Sequence, residues 1–208
     1  MKYKAIILDF DGVILESNHI KDEAFRHVFS GYPHHLDEIM QYHQDFLGII
    51  RFKKFKHITE SILHETYTPE LERNLARRFS DYALGHLISC SYVKGAKEFL
   101  DFFYTKYPLF LVSANPPQDL DYVLRSKSLD RYFKKVYATD EKAQAIEDIL
   151  RNNQWKPQEV IFIGDSWLDY QSCQQAKVNF LGRDSGSFKS LTELKVFSDL
   201  EEIQNYLK

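Results

Sequence analysis

Ala5-Ile6-Ile7-Leu8-Asp9-Phe10-Asp11-Gly12 joins a short unbroken apolar run to two carboxylates and a glycine. The run reads as a strand buried on both faces, as in a parallel sheet. The C-terminal ends of such strands open on the ligand crevice of an α/β sheet. Carboxylates at i and i+2 there imply a divalent cation or reacting protons, because buried charge without partners is costly. Alone, the pair has a second reading, a strand-end turn in which Asp9 or Asp11 caps a helix. The rest of the chain favours the first. Val160-Ile161-Phe162-Ile163 is another apolar strand and runs into Gly164-Asp165-Ser166-Trp167-Leu168-Asp169. Leu109-Phe110-Leu111-Val112 ends in Ser113-Ala114-Asn115, and Lys142 opens a helical pattern at Ala145, Ile146, Ile149 and Leu150. An acid pair, a hydroxyl, an amine and a second acid pair thus follow or flank strands, in that order.

The 208 residues can hold one large domain or a core with an insertion. Folding at this size buries roughly 70% of the unfolded chain's surface, so no covalent staple is required. Cys90 and Cys173, far apart in sequence, suggest no disulfide framework. Met1-Lys2-Tyr3-Lys4 leads into an apolar run too short for a signal peptide or membrane span, so a soluble cytoplasmic protein without a membrane partner is expected. A net charge of -3 leaves no electrostatic footprint for nucleic acid.

All eight histidines fall between residues 19 and 86, where no strand-like run occurs. Four helices are predicted there. Ser17 or Asn18 N-caps the first, which carries Ala24, Phe25, Val28 and Phe29 inward. Leu36 to Leu47 form the second, Phe52, Phe55, Ile58, Ile62 and Leu63 mark the third, and Pro69 starts the fourth. From Val93 strands and helices alternate: strands at 109–112, 136–138, 160–163 and 178–181, helices at 141–152 and 167–176 and from Pro116-Pro117 through Leu124, and a last helix opened by a Ser198-x-x-Glu201 capping box. The pattern predicts an α/β fold, a doubly wound parallel sheet formed by 1–15 and 93–208, with a helical insertion over 16–92.

The order and identity of these residues resemble the haloacid dehalogenase-like (HAD) superfamily, in its C1-capped phosphatase branch, where phosphoglycolate phosphatase and β-phosphoglucomutase fall. Asp9 and Asp11 match motif I, Ser113 motif II, Lys142 motif III, and Asp165 with Asp169 motif IV. The last motif is the most specific. Motif III lacks the Lys-Pro pair common in relatives, and Lys142 is chosen by position, with Lys134 and Lys135 as rivals ahead of the strand 136–138. The resemblance implies a Rossmannoid core with an all-helical cap, and a Mg2+-dependent phosphatase acting on a small phosphorylated metabolite, a sugar phosphate or phosphoglycolate-like acid. Asp9 is then the nucleophile that forms an aspartyl-phosphate, and Asp11 the acid and base. Asp9, Asp165 and the Asp11 carbonyl hold Mg2+. Ser113 and the neighbouring Asn115 bind phosphoryl oxygens, Lys142 offsets charge, and Asp169 orients Lys142 or a metal-bound water.

Each assignment keeps a rival. Ser113 also reads as a turn residue, Lys142 as a solvated helix charge, and Asp169 as an acid favoured by a helix dipole. In the insertion, Gly48-Ile49-Ile50-Arg51-Phe52-Lys53-Lys54-Phe55 puts Arg51 and Lys54 on one helical face. Both are candidate substrate contacts, and a solvated basic face is the other reading. His34, His35 and His43 lack metal-ligand spacing and read as surface or capping residues. A phosphosugar mutase would use the same motifs and return phosphate to sugar, and a non-catalytic binding protein would retain only the fold. A dehalogenase is disfavoured, since dehalogenating relatives lack the second acid that Asp11 supplies. The sequence leaves the oligomeric state open.

Overall fold

The computed structural model of the protein describes residues 3–188 and 194–208. Met1 and Lys2 of the N-terminal segment, and 189–193 within the C-terminal core range, lie outside the described residues. Strands β1 (Ala5–Leu8), β2 (Leu109–Ser113), β3 (Phe133–Ala138), β4 (Val160–Gly164), β5 (Asn179–Arg183) and β6 (Val196–Phe197) form one parallel sheet in the order β3-β2-β1-β4-β5-β6. β1 is central, with Ile7 opposite Phe110 on one side and Phe162 on the other. The chain runs outward from β1 to β3, crosses back to β4 and runs outward again. That reversal opens a crevice at the C-terminal ends of β1 and its neighbours.

Helices α1 (Asn18–Val28), α2 (Leu36–Asp45), α3 (Arg51–His57) and α4 (Pro69–Ser89) all lie between β1 and β2 in the chain. α3 continues into a π turn over Ile58–Ile62. Their apolar faces meet at Phe25, Phe55 and Phe79, whose ring centroids are 5.3 to 6.0 Å apart at tilted to edge-on angles, the arrangement aromatic quadrupoles favour. α5 (Ala96–Phe103), α6 (Pro117–Ser126), α7 (Lys142–Asn153), α8 (Trp167–Ala176) and α9 (Leu200–Leu207) complete the described α-helices. The period of a strand divides the core. Ile6, Leu8, Leu111 and Ile163 point to α5, α6 and α9, whereas Ala5, Ile7, Phe110 and Phe162 point to α7 and α8. The first of these apolar layers runs without a break into Phe25, Phe55 and Phe79.

The chain leaves and re-enters the core side by side. Leu15 bridges Tyr92 antiparallel, Glu16 N–H donates to Ser91 O at 3.0 Å and Val93 N–H to Ile14 O at 3.0 Å. Strands and helices alternate as the sequence predicts, with different ends. β3 starts at Phe133 rather than 136, because this edge strand carries the exposed Lys134 and Lys135 that mask an apolar pattern. β5 extends to Arg183, and the two-residue β6 was not foreseen. The last helix is capped by Asp199, which accepts from Glu202 N–H at 2.9 Å, not by Ser198. Ser17 stands at the start of α1 but makes no capping bond, because its hydroxyl is spent elsewhere. Among the described residues no helix is long and apolar enough to cross a membrane.

Candidate active site

Asp9 and Asp11 follow β1 on the crevice side, with Phe10 between them buried in the core. Asp9 N–H still donates to Ile163 O at 2.9 Å, so the carboxylate leaves the sheet at its last rung. Gly12 then turns the chain with φ +68°, and a Cβ there would sit 1.9 Å from Asp165 Oδ2. Only glycine accepts both the left-handed backbone and that approach. Asp165 follows β4 directly. Ser166 opens α8 with a capping box: its Oγ accepts from Asp169 N–H at 3.2 Å, while Asp169 Oδ2 accepts from Ser166 N–H at 3.1 Å. Lys142, the first residue of α7, places Nζ 2.8 Å from Asp9 Oδ2 and 2.5 Å from Asp169 Oδ1. The lysine chosen by position is therefore buried against both motif ends, and the solvated reading of Lys142 is lost. Asp169 caps its helix and holds Lys142 at once.

Four buried carboxylates, Asp9, Asp11, Asp165 and Asp169, face two ammoniums, Lys21 and Lys142. The excess of negative charge raises the proton affinity of the carboxyl groups. Burial, with the charges of Asp169, Asp165 and Asp11 outweighing the pull of Lys142, pushes Asp9 up to about 8. Burial and then the Asp169 charge push Asp165 up to about 6. Burial alone would lower Lys142, but Asp169 and Asp9 hold its ammonium well above the usual value. A divalent cation fits such a set of hard oxygen donors and cancels the excess. Carboxylate oxygens of Asp9, Asp165 and Asp169 lie within 4.8 Å of one another. Asp169 is 0% exposed and does not line the cleft, and its Oδ2 takes two bonds from Ser166. Asp9 and Asp165, 6% and 5% exposed, do line it. Of the three, those two present carboxylate oxygens to the cleft.

α1 supplies what sequence reading missed. Lys21 Nζ lies 2.6 Å from Asp11 Oδ2, Ser17 Oγ donates to Asp11 Oδ1 at 2.6 Å, and Asn18 donates to Asp165 Oδ2 at 2.7 Å. Asn115 adds a bond to Asp11 Oδ2 at 2.7 Å. Burial pushes Asp11 up, but Lys21 and these hydrogen bonds outweigh it and hold the carboxyl below its usual range. A signal existed: Asn18 and Lys21 head the same helical face that continues as the apolar Ala24, Phe25 and Val28, so two polar residues stand at the start of an inward stripe. Ser113 ends β2 as expected, but its side chain is fully buried and its Oγ accepts from Asn115 N–H at 3.3 Å. Ala114 and Asn115 line the cleft beside it, and Ser113 does not.

The insertion forms the opposite wall, where Gly48, with φ +92°, packs near Ser166 and Leu168. Arg51 and Lys54 both line the cleft and both are buried, so the solvated-face reading does not hold. Arg51 Nη1 lies 2.6 Å from Asp119 Oδ2 on α6, and Nη2 donates to Ser80 Oγ at 2.9 Å. Arg51 Nε is a buried donor without an acceptor among the described residues. Lys54 Nζ lies 2.9 Å from His43 Nδ1 and 3.0 Å from His43 O. His43 is 1% exposed, not at the surface as expected. It continues the buried Ile39-Met40 face of α2 and stacks on Phe25 at 4.1 Å.

The profile of the haloacid dehalogenase-like hydrolase family matches residues 6–183. No curated protein sequence matches the chain. Among solved structures, a "predicted phosphoglycolate phosphatase" from Haemophilus somnus is similar at TM-score 0.78 and 15% identity, over 100% of this chain and 99% of that one. CbbY from Rhodobacter sphaeroides, solved in complex with phosphate, is similar at TM-score 0.73 and 12% identity, over 97% and 96%. The HAD-hydrolase YfnB from Bacillus subtilis, solved bound to magnesium, is similar at TM-score 0.71 and 14% identity, over 100% and 99%. At these identities the likeness is one of fold.

Proposed function

The chain belongs to the haloacid dehalogenase-like hydrolase family, and from that premise we propose that it is a Mg2+-dependent phosphatase of a small phosphorylated metabolite, working through an aspartyl-phosphate on Asp9. The observation that carries the reading is the Lys142 ammonium bound to both Asp9 and Asp169, which ties the two ends of the motif set into one buried site. Asp9 and Asp165, with the Asp11 carbonyl, would hold Mg2+, which when bound neutralises charge on the phosphoryl oxygens. Lys142 steers the Asp9 carboxylate and offsets its charge against an incoming dianion. Asp9 then attacks phosphorus.

Asp11 protonates the departing alkoxide and takes a proton from the water that hydrolyses the acyl phosphate. Lys21, Ser17 and Asn115 aim this carboxyl at the cleft and keep it ionised before substrate arrives. A phosphate dianion beside it raises its proton affinity, as a like charge does, so Asp11 takes up a proton from solvent as substrate binds and passes it to the leaving oxygen. Ala114 and Asn115 face the phosphoryl group from the end of β2, and Ser113 supports them from behind through its bond from Asn115 N–H. The helices of 16–92 act as the cap that covers the cleft and reads the rest of the substrate through Arg51 and Lys54, above a core of 1–15 and 93–208. Loss of positioning by remote contacts costs rate as well as binding, which is why such a wall matters.

A panel of phosphomonoesters assayed for released phosphate tests the reading. Release is expected with Mg2+, none in excess chelator, and none from Asp9→Asn, which keeps the shape of the side chain and loses the nucleophile. Full turnover in chelator, or steady turnover by Asp9→Asn, overturns it.

A further inference from the structure

Four cationic side chains line the cleft: Lys21, Arg51, Lys54 and Lys142. Three are neutralised in place. Lys21 pairs with Asp11, Arg51 with Asp119, and Lys142 with Asp9 and Asp169. Lys54 differs. It is 2% exposed, and among the described residues no carboxylate forms an ion pair with it. Its hydrogen-bond partners are an imidazole nitrogen and a main-chain carbonyl, both of His43. An ammonium has three donors and no acceptor, so His43 Nδ1 must accept and Nε2 must carry the proton. That N–H points at Asp22 Oδ1, 2.9 Å away. Asp22, His43 and Lys54 form a line in which the carboxylate fixes the imidazole tautomer and the imidazole fixes the ammonium. The Phe25 ring lies 5.4 Å from Nζ and closes the apolar side.

Resting on the phosphatase reading, we infer that the substrate carries a second anionic group on its non-reacting portion, that this group is received by Lys54, and that His43 and Asp22 are positioning residues for that ammonium. A buried charge bound only to neutral acceptors is costly, and a substrate anion is what would repay it. Burial, aided by the nearby Lys21 charge and opposed by Asp22, lowers Lys54 to about 7, so its charge is poorly stabilised until an anion arrives. A second deficit lies on the same helix three residues earlier. Arg51 Nε is a buried N–H with no acceptor among the described residues, on a side chain that lines the same cleft. A neutral polyol would satisfy the orphaned donor and leave the Lys54 charge uncompensated; an anionic group answers to both.

The test uses matched phosphomonoesters and Mg2+. One set consists of phosphate esters of short hydroxy acids, the second of the amides of the same acids, and the third of the corresponding bisphosphates. The wild-type ratio of kcat/KM, acid or bisphosphate over amide, is expected to be about 10- to 150-fold, the worth of a charge-assisted hydrogen bond. Acid against bisphosphate identifies which anion is read. In Lys54→Met the ratio is expected to fall to within about threefold of one, and Lys54→Arg to restore part of it. His43→Phe, which keeps the stack on Phe25 and loses the acceptor, is expected to lower the ratio several-fold. A ratio cancels general damage, which a merely structural role would spread over all three sets. A wild-type ratio near one, or a ratio retained in Lys54→Met, overturns the inference and leaves the phosphatase reading standing. Failure to turn over any ester overturns both.

Discussion

A methyl group at residue 12 would lie 1.9 Å from Asp165 Oδ2 and 2.7 Å from Asn18 Nδ2, on a backbone with φ +68°. The strain and the clash act on different links. The left-handed backbone costs a non-glycine residue about 1–2 kcal/mol in stability. The clash displaces the Asp165 carboxylate and breaks its 2.7 Å bond from Asn18. Gly12→Ala should therefore lose about that much stability in urea unfolding. It should also lose kcat by more than about tenfold at saturating Mg2+, because small displacements of a reacting constellation are expensive. Wild-type kcat in Gly12→Ala would mean that the placement of Asp165 is not critical. The site is also sensitive to residues outside the motifs. Asp11 is ionised because of Lys21, Ser17 and Asn115, so its chemistry depends on side chains contributed by α1 and by the loop after β2.

At the scale of elements, α8 begins inside the site. Ser166 caps it while also donating from Oγ to Asp169 Oδ2 at 2.6 Å, and Asp169 in turn holds Lys142. Loss of a side-chain cap costs about 0.5–2 kcal/mol. Ser166→Ala should show that loss in stability together with a lower kcat, because Asp169 is left with one fewer bond to fix its carboxylate. Thr68 is the control. It caps α4 through Leu71 N–H at 3.2 Å, far from the cleft. Thr68→Ala should lose about the same stability and retain kcat. Equal kcat effects in both variants would show that Asp169 does not depend on the cap. α1 is the counterpart on the other wall. Its first turn gives up a capping bond from Ser17 in favour of a bond to Asp11, so helix stability yields there to the site.

For the whole molecule, the apolar layer on one face of the sheet continues into Phe25, Phe55 and Phe79 of the insertion. Polar ties join the same parts: Arg51 to Asp119 at 2.6 Å, and Lys53 to Asp140 at 2.9 Å. The second has an exposed lysine and adds little; in the first Arg51 is buried, and removing Asp119 would leave its charge uncompensated. A shared core predicts cooperative unfolding. Trp155 and Trp167 both lie beyond residue 92, so tryptophan fluorescence reports on the sheet side, whereas far-ultraviolet circular dichroism also reports on α1 to α4. Urea transitions followed by the two probes should coincide. Separate midpoints would show that the insertion unfolds by itself.

Much of this was legible from local pattern. Apolar runs of four with carboxylates at their ends identified β1 and β4, because strands buried on both faces need no alternation and their ends must manage charge. Asp9, Asp11, Asp165 and Lys142 were placed by order along the chain, and the structure brings all four together. Helical spacing located the helices between β1 and β2 and their phenylalanines. What the chain by itself left undecided was which polar side chains turn inward. Ser17 and Asn18 look like capping residues, Lys21 like a surface charge, and His43 like a surface histidine; each turns inward because the turn after β1 and the packing of the helices bring a polar partner there. Asn18 meets Asp165 across 147 positions and Arg51 meets Asp119 across 68. Periodicity tells which face of a helix is apolar. The partner that a polar group on or beside that face finds depends on how the helices pack against the sheet, and that is decided only when the chain closes on itself.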